Sequence, residues 1–260
     1  MRDIKAFDEL YARLDDMKKR AVRGEIGISA FLSPRECHYA EGYLARSGTA
    51  FFAYGGYEDA ERKKIYVLPE YMEGVNSSGA LKQYGEDSGI KVISARGSGF
   101  CTLTHRDFMG SLLVLGIKRD VIGDIIMLGE REALVFCESR IAEFLIDEWR
   151  EVGRDRISCS ETHISEGFVP ERRYAQINDT VASARLDCVV AALCNLSRER
   201  ARECVIAELC EVDYETGSRP DKEIEPPCLI SVRGYGKFRV LSIGAQTKKG
   251  RYRLCAQKFL

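Results

Sequence analysis

Residues 183–206 constrain this chain more than any other stretch. They read as two short helices separated by Asn195-Leu196-Ser197. In the first, Leu186, Val189, Val190 and Leu193 recur at i, i+3, i+4 and i+7, which gives one apolar stripe. In the second, Ala201, Cys204, Val205 and Ile206 supply the inward side. Ser197 is suited to cap that helix, because its hydroxyl can accept an orphan backbone N–H. Arg198 and Arg202, four apart, share an outer face, and Arg185 stands at the start of the first helix. Two short helices thus bring arginines to a common edge.

Beyond the helix pair the chain is strand-like at 229–233 and 238–243, with a turn at 234–237. From residue 231 to residue 260 there are eight basic residues and no acidic one. The net charge of −1 therefore hides a polarity: residues 1–180 are mildly acidic and residues 181–260 basic. A basic strand-and-turn surface beside arginine-bearing helices suits a phosphate backbone, which is bound by many positive donors on one face. The candidate RNA contacts are Arg185, Ser197, Arg198, Arg202, Arg233, Tyr235, Lys237, Lys248 and Lys249. A second set, Arg106, Lys118 and Arg119, either touches phosphate or forms a solvated face.

The residues before this segment divide into two α/β stretches. Residues 3–20 form a helix with Phe7, Leu10, Leu14 and Met17 on its apolar side. Ser33-Pro34-Arg35-Glu36 opens a second helix, running to about Arg46, with a Ser cap, Pro in the first turn and Glu at the third position. Strands at 49–54 and 64–68 flank Gly55-Gly56, and Tyr54 and Tyr57 are either core aromatics or an exposed platform. Residues 72–89 read as a linker or long loop. Then come a strand at 90–95, a helix opened by Thr104 and Asp107 and ended by Gly116, strands at 120–128 and 133–137, a helix at 141–152 and a strand at 156–164. Gly123-Asp124 marks a bulge or bend in the 120–128 strand. This β-α-β-β-α-β order is that of the ferredoxin-like plait, which RRM domains use to stack bases. An aromatic stacking pattern is missing, since the third strand offers only Phe136.

The run Ser183-x-Arg185-Leu186-Asp187-x-Val189-Val190, then Ser197-Arg198-x-x-Ala201, then Ile230-Ser231-Val232-Arg233-Gly234, resembles the S4 RNA-binding domain. With the run from His105 to Asp124 (His-Arg-Asp-Phe-Met-Gly-Ser-Leu-Leu, then Leu-Gly-Ile-Lys-Arg and Gly-Asp) and Gly234-Tyr-Gly-Lys-Phe, the whole chain resembles the YlmH family of bacterial S4-domain proteins. The resemblance implies a multi-domain α+β protein: an N-terminal α/β domain at 1–75, a central RRM-like, ferredoxin-like domain at 76–168 and an S4 domain with a basic tail at 180–260. It also implies binding to rRNA and tRNA on the large ribosomal subunit, in rescue of stalled nascent chains.

Catalysis has no clear seat. His105-Arg106-Asp107 lacks the glycine-rich loop and downstream motifs that would make it a kinase catalytic loop, and adjacent helical residues point in different directions. No Gly-x-Ser-x-Gly elbow or phosphate-binding loop occurs. The 10 cysteines form no Cys-x-x-Cys and no zinc spacing, and read as buried thiols. His38 and His163 are isolated. No apolar run approaches the ~18 residues of a membrane span. The expectation is a cytoplasmic, non-enzymatic RNA-binding protein without metal or cofactor and with no DNA partner. The alternatives are an RNA-modifying enzyme, such as a pseudouridine synthase with an S4 targeting module, and a protein adaptor at 1–75.

Overall fold

The computed structural model describes residues 2–72, 74–165, 167–248 and 250–259, with side chains from Phe7 onward. It forms two compact units, Met1–Pro170 and Glu171–Leu260.

The first unit opens with helix α1 (Arg2–Val22), strand β1 (Gly27–Ile28), helix α2 (Pro34–Arg46) and strands β2 (Phe51–Tyr54) and β3 (Lys64–Val67). The apolar side of α1, Phe7, Leu10, Leu14 and Met17, packs on Ala40 and Leu44 of α2 and on Ile65 and Val67 of β3. Both arms of the expected capping box are present at α2: Ser33 accepts from the Glu36 amide and Glu36 accepts from the Ser33 amide. Strands β1, β3 and β2 form an antiparallel sheet in that order.

Residues 72–89 are not a free linker. They hold a short helix α3 (Ser78–Leu81) and a 3-10 turn. Met72, Val75 and Leu81 are buried against Phe52 and Tyr66, and the Tyr66 hydroxyl donates to the Ser88 carbonyl at 2.6 Å. Polar and glycine content suggested a loop, but three apolar anchors pin it.

Next come β4 (Ile90–Gly97), α4 (His105–Val114), β5 (Ile122–Met127), β6 (Glu132–Glu138), α5 (Ser139–Glu148), β7 (Glu151–Val152) and β8 (Asp155–Thr162). The sheet order is β5-β6-β4-β8-β7, antiparallel throughout. Helices α4 and α5 bury Phe108, Leu112, Ala142 and Leu145 on one face, against Ile93, Ala95 and Val135. The helix expected at 141–152 stops earlier, at Glu148. Trp149 leaves helical geometry so that its indole N–H reaches the Ser111 hydroxyl at 2.9 Å, and Gly153, at φ 62°, turns residues 151–156 into a hairpin. Gly116 follows α4 with φ 83°, as a left-handed stop requires.

The other face of this sheet is covered. Val92, Leu134 and Phe136 are buried beneath Tyr57 and Ala60, and Ile164 and Phe168 pack there too. Tyr57 is thus a core aromatic, with its ring centroid 5.1 Å from that of Phe136. The expected bulge occurs between Ile122 and Ile125, and it presents Asp124 to the 57–62 loop. The Asp124 carboxylate accepts from the Tyr57 hydroxyl at 2.6 Å and from the amides of Glu61 and Arg62 at 2.7 and 3.0 Å. Arg62 in turn donates to the carbonyls of Ile122, Phe31 and Arg119. A buried ion pair, Lys64 with Glu138 at 3.4 Å, adds to this seam.

The second unit contains β9 (Tyr174–Val181), α6 (Leu186–Cys194), α7 (Arg198–Ile206), β10 (Cys210–Val212), β11 (Glu215–Thr216), β12 (Cys228–Val232), β13 (Gly236–Gln246) and β14 (Tyr252–Phe259). They form a six-stranded antiparallel sheet, β11-β10-β12-β13-β14-β9. The α6 stripe is buried as its spacing requires, with Leu186, Val189 and Val190 fully so. Ile206 departs from expectation: it is 57% exposed at the last position of α7. Ala201, Cys204 and Val205 already fill the inner side of that helix.

Candidate nucleic-acid interface

Residue Asn195 adopts φ 51° and ends α6, and Ser197 caps α7 by accepting from the Arg200 amide. This tight joint starts α7 close behind the end of α6, and the Arg198 side chain reaches back to Asp187 near the start of α6. There the Asp187 carboxylate, 1% exposed as a residue, collects the two leading arginines. Arg185 donates through Nε and Nη2 at 3.1 Å each, and Arg198 donates through Nε at 3.3 Å. The Cys188 amide completes the set at 3.0 Å. Burial pushes the Asp187 carboxyl up. The hydrogen bonds from Arg185 and Cys188, the Arg185 charge and the Arg198 bond outweigh that effect and hold it below the usual carboxylate value. Asp187 is therefore ionised at neutral pH and fixes two guanidinium planes, whose side chains are still 41% and 61% exposed.

A crossing segment closes the other side. The Leu186 amide donates to the Lys222 carbonyl at 2.8 Å and the Asp187 amide to the Pro220 carbonyl at 3.0 Å, which satisfies orphan donors of α6. Between the segment and the helices lies a depression of about 470 Å³ lined by Arg185, Asp187, Arg198, Glu199, Arg202, Pro220 and Asp221. Its three arginines face three carboxylates. It offers a ligand a set of fixed, directional guanidinium donors more than a net positive charge.

The structure therefore gathers Arg185, Arg198 and Arg202. It does not bring the remaining candidates to the same place. Arg233 is exposed in the β12–β13 turn, and Tyr235, two residues on, is partly buried against the core. Lys237 lies near the start of β13 and Lys248 beyond its end. At ~3.3 Å per residue the two are roughly 30 Å apart. The Ser197 hydroxyl is engaged as a helix cap, and Lys249 lies outside the described residues. Of the second set, Arg106 and Lys118 are exposed. Arg119 is half-buried, and burial and the neighbouring Arg62 push it down to about 10 despite Asp124, so it stays cationic at neutral pH. Thr104 and Asp107 are occupied with each other as a capping box.

Sequence reasoning found the arginines but not Asp221 or Pro220, which reach the site by a crossing with no local pattern. Among the described residues no group of three or more His, Cys, Asp or Glu could hold a metal ion, and no helix is long and apolar enough to cross a membrane.

Residues 86–166 match the family model described as "Putative RNA-binding domain in YlmH". Over 242 residues the chain is 26% identical to the "Ribosome-associated protein quality control protein P2" of Bacillus subtilis (strain 168), a match spanning 92% of this chain and 91% of that relative. The solved structure of "Cell division protein ylmH from Streptococcus pneumoniae" aligns with TM-score 0.50 and 18% identity, over 61% of this chain and 92% of the other. These three findings together support the resemblance to the YlmH family. The chain is a multi-domain mixed α/β protein, and the family model at 86–166 supports an RNA-binding role.

Proposed function

We propose that this chain is a cytoplasmic, non-enzymatic protein that binds rRNA and tRNA on the large ribosomal subunit, where it acts in rescue of stalled nascent chains still attached to tRNA. The observation that carries the reading is the Asp187 clamp. A buried carboxylate holds Arg185 and Arg198 in fixed orientation beside Arg202, at the mouth of an open depression. Such pre-set guanidinium forks match phosphate oxygens bidentately. The helix pair on its antiparallel sheet is read as an S4 domain at 180–260, and the 90–162 sheet with its two helices as a ferredoxin-like domain. Arg233 and Lys248 extend phosphate contacts along the S4 sheet, and Arg106, Lys118 and Arg119 form a second contact. The name of the Bacillus subtilis relative supports the ribosomal setting.

The test is sucrose-gradient fractionation of bacterial lysate containing the chain or its Arg185→Ala/Arg198→Ala variant. The expected result is co-migration with large subunits that the double substitution abolishes. Migration as free protein in both cases overturns the ribosomal assignment.

A further inference from the structure

The six-stranded sheet of the Glu171–Leu260 unit has two faces, and the helix pair occupies one. Strand alternation places Phe238, Val240, Leu254 and Ala256 under the helices, each 1% exposed or less. Register then turns their neighbours outward: Arg239 opposite Gln257, and Phe259 opposite Tyr174. The Tyr174 and Phe259 rings meet edge to face with centroids 5.1 Å apart. The Lys237 ammonium lies 5.1 Å and the Arg239 guanidinium 5.5 Å from the Phe259 centroid. Arg253, paired with Thr180, stands exposed on the same face.

Across strands β9, β13 and β14 the charge on this face is one-sided; Glu211 of β10, in register with Ser231 and through it with Lys237, faces the same way on the far side of β12. Strands β9, β13 and β14 contain a single acidic residue, Asp179. It pairs with the buried Leu254 and therefore points to the helix side. Two rings with two cations beside them, a third cation (Arg253) about 20 Å along β14, and the flat amide of Gln257 on the same face are what unpaired bases and their backbone require together: π faces for stacking, charge for phosphate and a donor–acceptor group for base edges.

We infer that this face is a second nucleic-acid site, distinct from the Asp187 depression. It takes single-stranded RNA, with unpaired bases stacking on Phe259 and Tyr174 and the backbone held by Lys237, Arg239 and Arg253. The inference goes beyond the ribosomal reading, which rests on the helix-pair arginines.

The test uses the full chain, a fluorescein-labelled 12-nucleotide oligouridine and a labelled RNA duplex of 12 base pairs, followed by anisotropy at about 100 mM salt, where surface electrostatics are partly screened. Phe259→Leu keeps apolar bulk but removes the π face. It should weaken oligouridine binding about 5- to 160-fold, the range for loss of one base–aromatic stack, while duplex binding changes less than about twofold. Phe259→Tyr should restore it. Tyr174→Leu, on the neighbouring strand, provides a second reading should Phe259→Leu fail to fold. Failure of the parent chain to bind oligouridine overturns the inference. So does unchanged oligouridine binding in both leucine variants, or equal loss of oligouridine and duplex binding in both. Gradient co-migration plays no part in this assay, so failure of the ribosomal reading is scored separately.

Discussion

The Asp187 clamp makes a prediction whose sign separates two mechanisms. Asp187→Asn keeps the side chain's size and removes its charge. If the depression acts by charge alone, RNA binding should tighten. For a phosphate ~8 Å away in high dielectric, removing one negative charge is worth about 0.5 kcal/mol, and salt screens it further. If the depression acts by orientation, binding should weaken. An amide keeps one acceptor oxygen and turns the other into a donor, so it cannot accept all four bonds from Arg185, Arg198 and the Cys188 amide as the carboxylate does, and ordering a long side chain on binding costs roughly 0.5–1.5 kcal/mol each. Two released side chains outweigh the charge effect, leaving a net loss of about 0.5–2.5 kcal/mol, or roughly 2- to 70-fold in affinity. The assay is fluorescence anisotropy with labelled tRNA across a salt series. The slope of log affinity against log salt should stay near that of the parent for Asp187→Asn. For Arg185→Ala/Arg198→Ala it should fall by about 1.4–1.8, two contacts' worth. Thermal unfolding provides the control: the arginines return to water, so the stability loss should be about 1 kcal/mol, or ~4–8 °C for a unit of this size. Binding by Asp187→Asn as tight as the parent, or tighter, refutes the orientation argument.

Asp124→Ala leaves the Tyr57 hydroxyl and two amides without their acceptor and should lower the stability of the Met1–Pro170 unit by roughly 2–4 kcal/mol, read by calorimetry; an unchanged transition would place the seam outside the folding unit. Gly56→Ala should be more damaging than Gly123→Ala in the same assay. A methyl at Gly56 would come within 2.3 Å of the Phe136 ring at φ 107°, whereas at Gly123 it meets Phe31 at 2.7 Å with no left-handed backbone. Hydrogen bonds hold Asp107, Asp155 and Asp187 below the usual carboxylate value. Their contribution to stability is present above an unfolded value near 3.8 and is lost as pH falls through the lower folded values, so the midpoint should drop below about pH 4. Burial pushes Cys37 and Cys137 up to about 12. Iodoacetamide at pH 8 should leave both unmodified in the native protein and modify them in denaturant, and native labelling would contradict their burial.

Local chemistry was the legible part of the sequence. The capping boxes at Ser33–Glu36 and Thr104–Asp107, the Gly116 stop and the α6 stripe all arise from interactions within a few residues, and each stands where its pattern put it. Less legible were elements defined by distant partners. Strand β9 is a sheet edge with a single buried position, the rest exposed or half-buried, so its alternation is weak. Strand β14 carries charged and polar residues on both of its faces. Neither was visible until paired with the other over eight register positions. The candidate site divided the same way. Arg185, Arg198 and Arg202 were readable from helical spacing. Their meeting point, a buried aspartate beneath a crossing 220–222 segment, depended on contacts from outside the helix pair.

The covered face of the β5-β6-β4-β8-β7 sheet has a practical consequence for dissecting the chain. A fragment starting near residue 76 would lose Tyr57 and Ala60 and lay Val92, Leu134 and Phe136 open to water, a contiguous apolar patch of the kind that drives self-association. Such a fragment would also lose the partners of Asp124. Sticky, non-specific retention of RNA or protein by that piece would report the wound left by the cut. A scission near Pro170, where the compact units divide, leaves that hydrophobic seam intact and is where truncation variants should begin.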